Sequence, residues 1–167
     1  MAKWYVLYVK WNHEKKIEGI LKENSLVSFL PMVETIKTWS DRKKKVKVPL
    51  FPSYIFVQIS NRKELERVLS IKGAYCFIKF GGEFATIREE VIKKIRFIVD
   101  SKDITDIKNN LQVPKIGEIK RIKIGPLKGL DCKILNINNR SKLIVEIDSI
   151  KTSIIATIPT WYFSIVN

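Results

Sequence analysis

The sequence is poor in the side chains that carry most metal and nucleophilic chemistry. Its 167 residues include one histidine, His13, and two cysteines, Cys76 and Cys132. His13 has no second histidine, cysteine or acid at a metal-ligand spacing, so we expect it to be solvated or to cap a helix. Acidic residues such as Asp131 and Asp148 are scattered, and no glycine-rich phosphate loop precedes a helix. We therefore expect no enzyme activity, no metal and no cofactor.

Long apolar segments are also missing. No apolar run approaches the ~20 residues that span a bilayer, and the opening Met-Ala-Lys-Trp has no signal-peptide core. Because the two cysteines fall in what we interpret as separate domains, reduced thiols are favoured over a disulfide. We expect a cytoplasmic, monomeric protein with no membrane association.

Acidic residues are few relative to basic ones. Lysine and arginine number 31 against 17 aspartate and glutamate residues, which gives a formal net charge of +14. Such an excess implies a polyanionic partner, most often nucleic acid, and a membrane surface is the alternative. An apolar content of 46% in a chain of this length indicates one or two small globular domains.

Two strand patterns predict an aromatic surface. In the strand that begins at Tyr54, alternation puts Tyr54 and Phe56 on the face opposite the β-branched residues. In the first strand, Tyr8 shares a face with Lys10, which marks that face as the outer one. If the two strands pair, Tyr8, Tyr54 and Phe56 form one exposed patch, which usually marks a binding site. The alternative is that a helix or loop of the same chain covers these rings.

A run of positive charge lies just before this strand. Residues 37–47 carry six cations and one acid, so we expect a solvated hairpin loop or tip. The loop either keeps the protein soluble or contacts phosphates. The candidate nucleic-acid-binding residues in it are Arg42, Lys43, Lys44, Lys45 and Lys47.

The periodicity of residues 1–100 predicts an α+β domain. Capping-box sequences, Asn61-Arg-Lys-Glu64 and Thr86-Ile-Arg-Glu89, predict the starts of two helices. The predicted order β-α-β-β-α-β-α fits a ferredoxin-like layout, with an antiparallel sheet and helices on one face.

The rest of the chain has a different pattern. Residues 101–113 lack a clear period, and we interpret them as a linker. Short β runs separated by turns follow in residues 114–167, with no helix pattern, and predict a small all-β barrel of five short strands.

Four stretches stand out in chain order: Trp4-Tyr5, Phe51-Pro-Ser-Tyr-Ile-Phe-Val57, Gly73-Ala-Tyr-Cys-Phe-Ile78 and Gly125-Pro-Leu-Lys-Gly129. Together they resemble the NusG family of transcription elongation factors. The similarity extends to the specialised RfaH and UpxY antiterminators, with the UpxY side favoured. The resemblance implies an NGN domain joined by the linker to an SH3-like KOW barrel.

The resemblance also implies partners and roles. The NGN domain is expected to bind the clamp helices of the largest RNA polymerase subunit through Tyr8, Tyr54 and Phe56, and to suppress pausing or termination at particular operons. Lys10 is a candidate contact for non-template DNA, with nascent RNA as the other nucleic acid. The barrel would meet a ribosomal protein or a termination factor. Its characteristic turn would contain Gly125, Pro126, Lys128 and Gly129. A ribosome-associated, RNA-binding KOW protein is the alternative function, since such barrels also occur there.

Overall fold

The structure is a computed structural model that describes residues 2–110, 117–121, 128–129, 131–137, 140–147 and 151–159. The chain divides into an amino-terminal unit, Met1–Glu89, and a carboxy-terminal unit, Glu90–Asn167. The division falls before the predicted boundary at residue 100, because the third helix, α3 (Glu89–Asp100), is grouped with the carboxy-terminal strands.

The amino-terminal unit is a mixture of helices and short strands. Its helices are α1 (Glu14–Glu23) and α2 (Arg62–Leu69). Its strands are β1 (Lys3–Val9), β2 (Ser28–Phe29), β3 (Met32–Thr38), β4 (Lys43–Pro49), β5 (Tyr54–Ile59), β6 (Ala74–Phe77), β7 (Lys79–Phe80), β8 (Glu83–Phe84) and β9 (Thr86–Ile87).

Strand β1 lies at the centre of the main sheet of this unit. The sheet order is β2-β5-β1-β6, and β9 also pairs with β1. Every one of these pairs is antiparallel. The predicted antiparallel sheet is therefore confirmed, with the two segments that contain α1 and α2 connecting its strands.

The β-branched face of β5 forms the core, as the alternation predicts. It packs with the matching face of β1 and with apolar residues of α1 and α2, so both helices lie on one face of the sheet. The cluster contains Leu7, Val9, Ile17, Leu21, Leu26, Leu30, Ile55, Val57, Ile59, Val68 and Phe77. Each fully buried aliphatic side chain contributes about 1.5–3 kcal/mol relative to exposure.

One of the two predicted capping boxes forms. Asn61 caps α2, since its Oδ1 accepts a 3.0 Å hydrogen bond from the Glu64 backbone N–H. Glu64 reaches back to the backbone N–H of Ser60, at 2.7 Å, one residue before the usual target. The second prediction was wrong: Thr86 lies in β9 opposite Tyr5, and α3 begins only at Glu89.

In the part of the carboxy-terminal unit that the structure describes, five strands form an antiparallel sheet. In order across the sheet these are β10 (Thr105–Asn110), β14 (Thr152–Ile158), β13 (Arg140–Ile147), β12 (Asp131–Ile137) and β11 (Glu118–Arg121). The predicted β runs are confirmed for β11 to β14. Part of the predicted linker is a strand, because β10 lies within residues 101–113 and pairs with β14. Closure of this sheet into an SH3-like KOW barrel stays a prediction.

Among the residues that the structure describes, no helix combines the length and the apolar character that a membrane crossing requires.

Candidate functional site

A tight turn sets the start of β5. The Tyr54 backbone N–H donates to the Phe51 carbonyl at 3.1 Å, which closes a four-residue turn. Pro52 occupies its second position, and Ser53 adopts a positive φ of 66° at the third. These are the features of a type II turn, in which proline favours the first bend and the third residue must enter the left-handed region. The turn determines which face Tyr54 takes.

Glu14 fixes this turn against α1. Its carboxylate is buried, and Oε1 accepts a 2.8 Å hydrogen bond from the Ser53 backbone N–H. The Ser53 carbonyl in turn accepts from the Val9 backbone N–H at 2.9 Å. Both backbone groups of the strained residue are therefore paired. Glu14 was not among the predicted site residues, so this positioning role was missed.

Tyr8, Tyr54 and Tyr75 form a cluster, called here the tyrosine patch. Tyr8 and Tyr54 are cross-strand partners with ring centroids 5.7 Å apart. The Tyr75 ring lies 5.6 Å from that of Tyr8. Tyr8 is 38% exposed and Tyr75 is 56% exposed, while Tyr54 is half-buried. The patch therefore offers one continuous amphipathic surface at the end of the sheet.

Tyr75 was not among the predicted site residues. In the pairing of β1 with β6, Tyr8 lies opposite Cys76 and Val9 opposite Ala74, so the register shifts and Tyr75 is the extra residue. Both Tyr75 and Cys76 are exposed. Alternation along one strand gives no register between strands, and it cannot reveal a bulge.

Phe56 does not belong to the exposed surface, which corrects the predicted patch. It is 1% exposed, and its ring lies 5.7 Å from that of Phe51 and 6.1 Å from that of Phe29. Strand alternation does put Phe56 on the same face as Tyr54, but β2 and the turn before β5 supply rings that pack against it.

The outer face of the sheet is also covered at the other end of β1. Trp4 and Val6 are buried, and the Trp4 indole N–H donates to the Glu89 carboxylate. The alternative that the chain itself covers the outer face is therefore correct for this half of the sheet. The exposed aromatic rings of this face lie at the end that carries the tyrosine patch.

The positively charged run forms a strand rather than a flexible loop. Strands β3 and β4 pair antiparallel from Met32 opposite Pro49 to Thr38 opposite Lys43, forming a separate two-stranded sheet, called here the cationic ribbon. Its distal part, residues 34–45, is exposed. Four of the five predicted nucleic-acid-binding residues of this run lie on β4: Lys43, Lys44, Lys45 and Lys47. Arg42 lies in the turn that joins the strands.

Lys10 directly follows β1 and is exposed. Its backbone N–H donates to the Gly73 carbonyl at 2.8 Å, immediately before β6. It therefore lies at the same end of the sheet as Tyr8 and Tyr75.

The predicted KOW turn is described only in part. Lys128 and Gly129 are exposed, and Gly129 has a φ of 86°, which favours glycine. Gly125 and Pro126 lie outside the described residues. Across this segment Arg121 and Asp131 face each other, with Arg121 Nε donating to Asp131 Oδ1 at 2.9 Å. This hydrogen bond lowers the pKa of Asp131.

His13 lies at the start of α1. It is the N-cap residue of α1, and its Nδ1 lies 3.1 Å from the Trp11 carbonyl oxygen. Within the described ranges, no three histidine, cysteine, aspartate or glutamate side chains are grouped to hold a metal ion.

Residues 2–96 match the family described as "Transcription termination factor nusG". The chain belongs to the NusG family. A solved structure described as "Domain interaction in Thermotoga maritima NusG" is 21% identical, covers 93% of each chain and has a TM-score of 0.47. A chain of the "MjSpt4:Spt5 complex" is 16% identical, covers 98% of each chain and has a TM-score of 0.33. Family membership supports a general role in transcription elongation.

Proposed function

We propose that this NusG-family chain is an antitermination factor that binds the clamp helices of the largest RNA polymerase subunit. It would suppress pausing or termination at particular operons, acting as a cytoplasmic monomer. The observation that carries the proposal is the tyrosine patch, whose Tyr8 and Tyr54 are two of the three residues that the family resemblance assigns to polymerase binding. Kinship with the RfaH and UpxY antiterminators is part of the proposal and rests on the motifs at Trp4 and Phe51.

The patch suits a protein interface. Tyrosine buries a large apolar ring at a small entropy cost and keeps a hydroxyl for a partner, which is why it is frequent among the residues that dominate binding energy. The Tyr8 ring packs against those of Tyr54 and Tyr75, and Glu14 binds the turn before Tyr54, so the patch is held in place before a partner arrives. Preorganisation of this kind lowers the ordering cost of association.

Alanine substitution of each patch residue tests this assignment. With purified RNA polymerase, Tyr8→Ala, Tyr54→Ala and Tyr75→Ala should each weaken binding by about 2 kcal/mol, as anchor residues do. Phe80→Ala is the matched control, since Phe80 is an exposed ring on β7 outside the patch. Thermal melting of every variant separates lost contacts from lost folding. Unchanged affinity in all three folded tyrosine variants would refute the proposed interface.

The cationic ribbon is proposed to contact phosphates of non-template DNA or nascent RNA in the elongation complex. Lysine-rich contacts to phosphate carry affinity without reading sequence. Replacing Arg42, Lys43, Lys44 and Lys45 by glutamine should preserve binding to bare polymerase and weaken binding to the elongation complex. Each lost contact should flatten the slope of log affinity against log salt by roughly 0.7–0.9. Lys10→Gln tests the more specific contact to the non-template strand in the same assay.

Action on the polymerase would be non-enzymatic. A factor that binds the pause-resistant state more tightly shifts the equilibrium toward it by that difference, and ~1–3 kcal/mol is typical of such coupling. The carboxy-terminal unit would meet a second partner, such as a ribosomal protein or a termination factor.

The ribosome-associated alternative is favoured by one observation, the net charge of +14. Purification of the tagged full chain from its cells discriminates the two functions. Co-purifying polymerase subunits support the antitermination factor, and ribosomal RNA without polymerase supports the alternative.

A further inference from the structure

We infer that the tip of the cationic ribbon is a stacking site for an unpaired base of single-stranded nucleic acid. The inference rests on the proposed contact between the ribbon and nucleic acid, and it assigns a specific role to Trp39. Trp39 is 58% exposed and lies directly after β3, next to the turn at the ribbon's end.

The register of the ribbon places cations around this indole. The Trp39 backbone N–H donates to the Arg42 carbonyl at 2.8 Å, which continues the pairing of Thr38 with Lys43 by one residue. Residues directly opposite each other share a face, and so do residues two apart on one strand. The Trp39 face therefore also carries Arg42 and the cross-strand pair Lys37 and Lys44.

The opposite face has a different character. Its cross-strand pairs are Thr38 with Lys43, Ile36 with Lys45 and Glu34 with Lys47. It therefore carries three cations as well, but its Lys47 lies opposite an acid and it has no aromatic residue. The two faces thus carry equal numbers of cations, but only the Trp39 face carries an indole, so variants of the two faces can be compared directly.

An exposed indole among cations matches the chemistry of single strands. Proteins that hold single-stranded nucleic acid combine positive charge along the backbone with aromatic rings on which bases stack. In a duplex both faces of each base are already stacked, so an indole gains little unless it unstacks a step. A two-stranded ribbon can also enter the major groove of duplex DNA, and such binding would make duplex the preferred ligand.

The test uses the full chain and labelled oligonucleotides: an oligothymidylate, an oligouridylate of equal length and a duplex of that length, each over a range of salt. Trp39→Ala should lower single-strand affinity by ~5- to 150-fold for one stacked base, with the salt slope unchanged. Trp39→Phe, which keeps a ring, should retain more affinity than Trp39→Ala. Trp11→Ala, at a tryptophan that is 66% exposed and lies outside the ribbon, should have no effect.

Charge variants identify which face of the ribbon contacts the phosphates. The triple variant Lys37→Gln, Arg42→Gln, Lys44→Gln should flatten the salt slope by ~0.7 for each lost phosphate contact on a single strand. The triple variant Lys43→Gln, Lys45→Gln, Lys47→Gln removes the same charge from the other face and should flatten it less. DNA and RNA strands both supply the required bases and phosphates. The strand that binds with the higher affinity identifies the natural ligand.

Two results would overturn the inference. One is an unchanged single-strand affinity in Trp39→Ala, and the other is an equal loss on duplex and single strand. If the salt slope falls in the triple variants while Trp39→Ala has no effect, stacking fails and the proposed phosphate contact stands. If neither triple variant changes the slope, the phosphate contact fails as well, and with it this part of the proposed function.

Discussion

Substitution of Phe56 by alanine should destabilise the amino-terminal unit. Phe56 is 1% exposed and packs against the rings of Phe29 and Phe51. Truncating a buried phenylalanine to alanine costs about 3–5 kcal/mol, from lost burial and from the cavity that remains. Because two aromatic neighbours lose a partner at once, we expect the upper part of this range. Domains are stable by only about 5–15 kcal/mol, so the loss is a large fraction of the total.

Native-state hydrogen exchange measures this loss within the full chain. The amide protons shared between β1 and β5 report the free energy of opening the sheet in which Phe56 lies. Since each 1.4 kcal/mol is a factor of ten, their protection should fall by roughly two to four powers of ten in Phe56→Ala. Amides of β13 and β14, in the other unit, give an internal reference.

Phe80→Ala provides the matched control. The same atoms are removed from a ring that is 44% exposed on β7, and the loss of protection should be well below that of Phe56→Ala. Equal protection in the parent chain and in Phe56→Ala would refute the assignment of Phe56 to the core. Lost polymerase affinity in such a folded variant would restore Phe56 to the binding surface.

Three further predictions concern the parts that hold the site. Glu14→Ala leaves the Ser53 N–H without its acceptor and should cost about 1.5–3 kcal/mol, with Glu14→Gln less severe, by the same exchange measurement. Gly73→Ala should lower the free energy of unfolding by about 1–3 kcal/mol, because Gly73 has a φ of 99° and a Cβ there would lie 3.2 Å from Ile17 Cδ1. Its control is Gly19→Ala in α1, which should be neutral or stabilising in thermal melting. A thiol reagent should label exposed Cys76 much faster than buried Cys132. Burial also raises the pKa of the Cys132 thiol, so the folded state keeps this proton where the unfolded state loses it, and the free energy of unfolding should fall as pH rises above the ordinary thiol range. Cys132→Ala should remove that alkaline loss, and its persistence would contradict the assignment.

Alternation predicted the core face of the sheet and put Tyr8 and Tyr54 on the opposite face, because a strand's side chains must alternate whatever surrounds them. That the two strands pair, with Tyr8 opposite Tyr54, was only a condition of the predicted patch, and the structure supplies it. Alternation could not predict the burial of Phe56. Exposure depends on what packs against a face, and the covering rings, Phe29 and Phe51, lie in a two-residue strand and in a turn that have no periodicity of their own.

The cationic ribbon shows a different failure. Charge density predicted a solvated hairpin loop or tip, and the hairpin is there, but its cations lie mostly on a strand. The Lys-Val-Lys-Val order of residues 45–48 is a period-two pattern that could have indicated this strand. Pairing with β3 gives these residues their hydrogen bonds, so repulsion among the lysines does not prevent the strand from forming. In the same way β10, which is rich in polar residues, becomes a strand only through its pairing with β14.

The ribbon and the tyrosine patch belong to one unit and are joined by a short connection whose first two residues are buried. Only Leu50 to Ser53 separate β4 from β5, and the Leu50 backbone N–H donates to the Pro31 carbonyl at 2.8 Å, beside the base of the ribbon. Leu50 and Phe51 are buried, and Glu14 holds Ser53. A rigid connection of this kind makes the second contact intramolecular once the first has formed, so two weak contacts can give strong binding. We therefore expect the ribbon to contribute most to affinity when the tyrosine patch is already bound. Charge-neutralising ribbon variants should then lose more affinity for the elongation complex than for an isolated oligonucleotide.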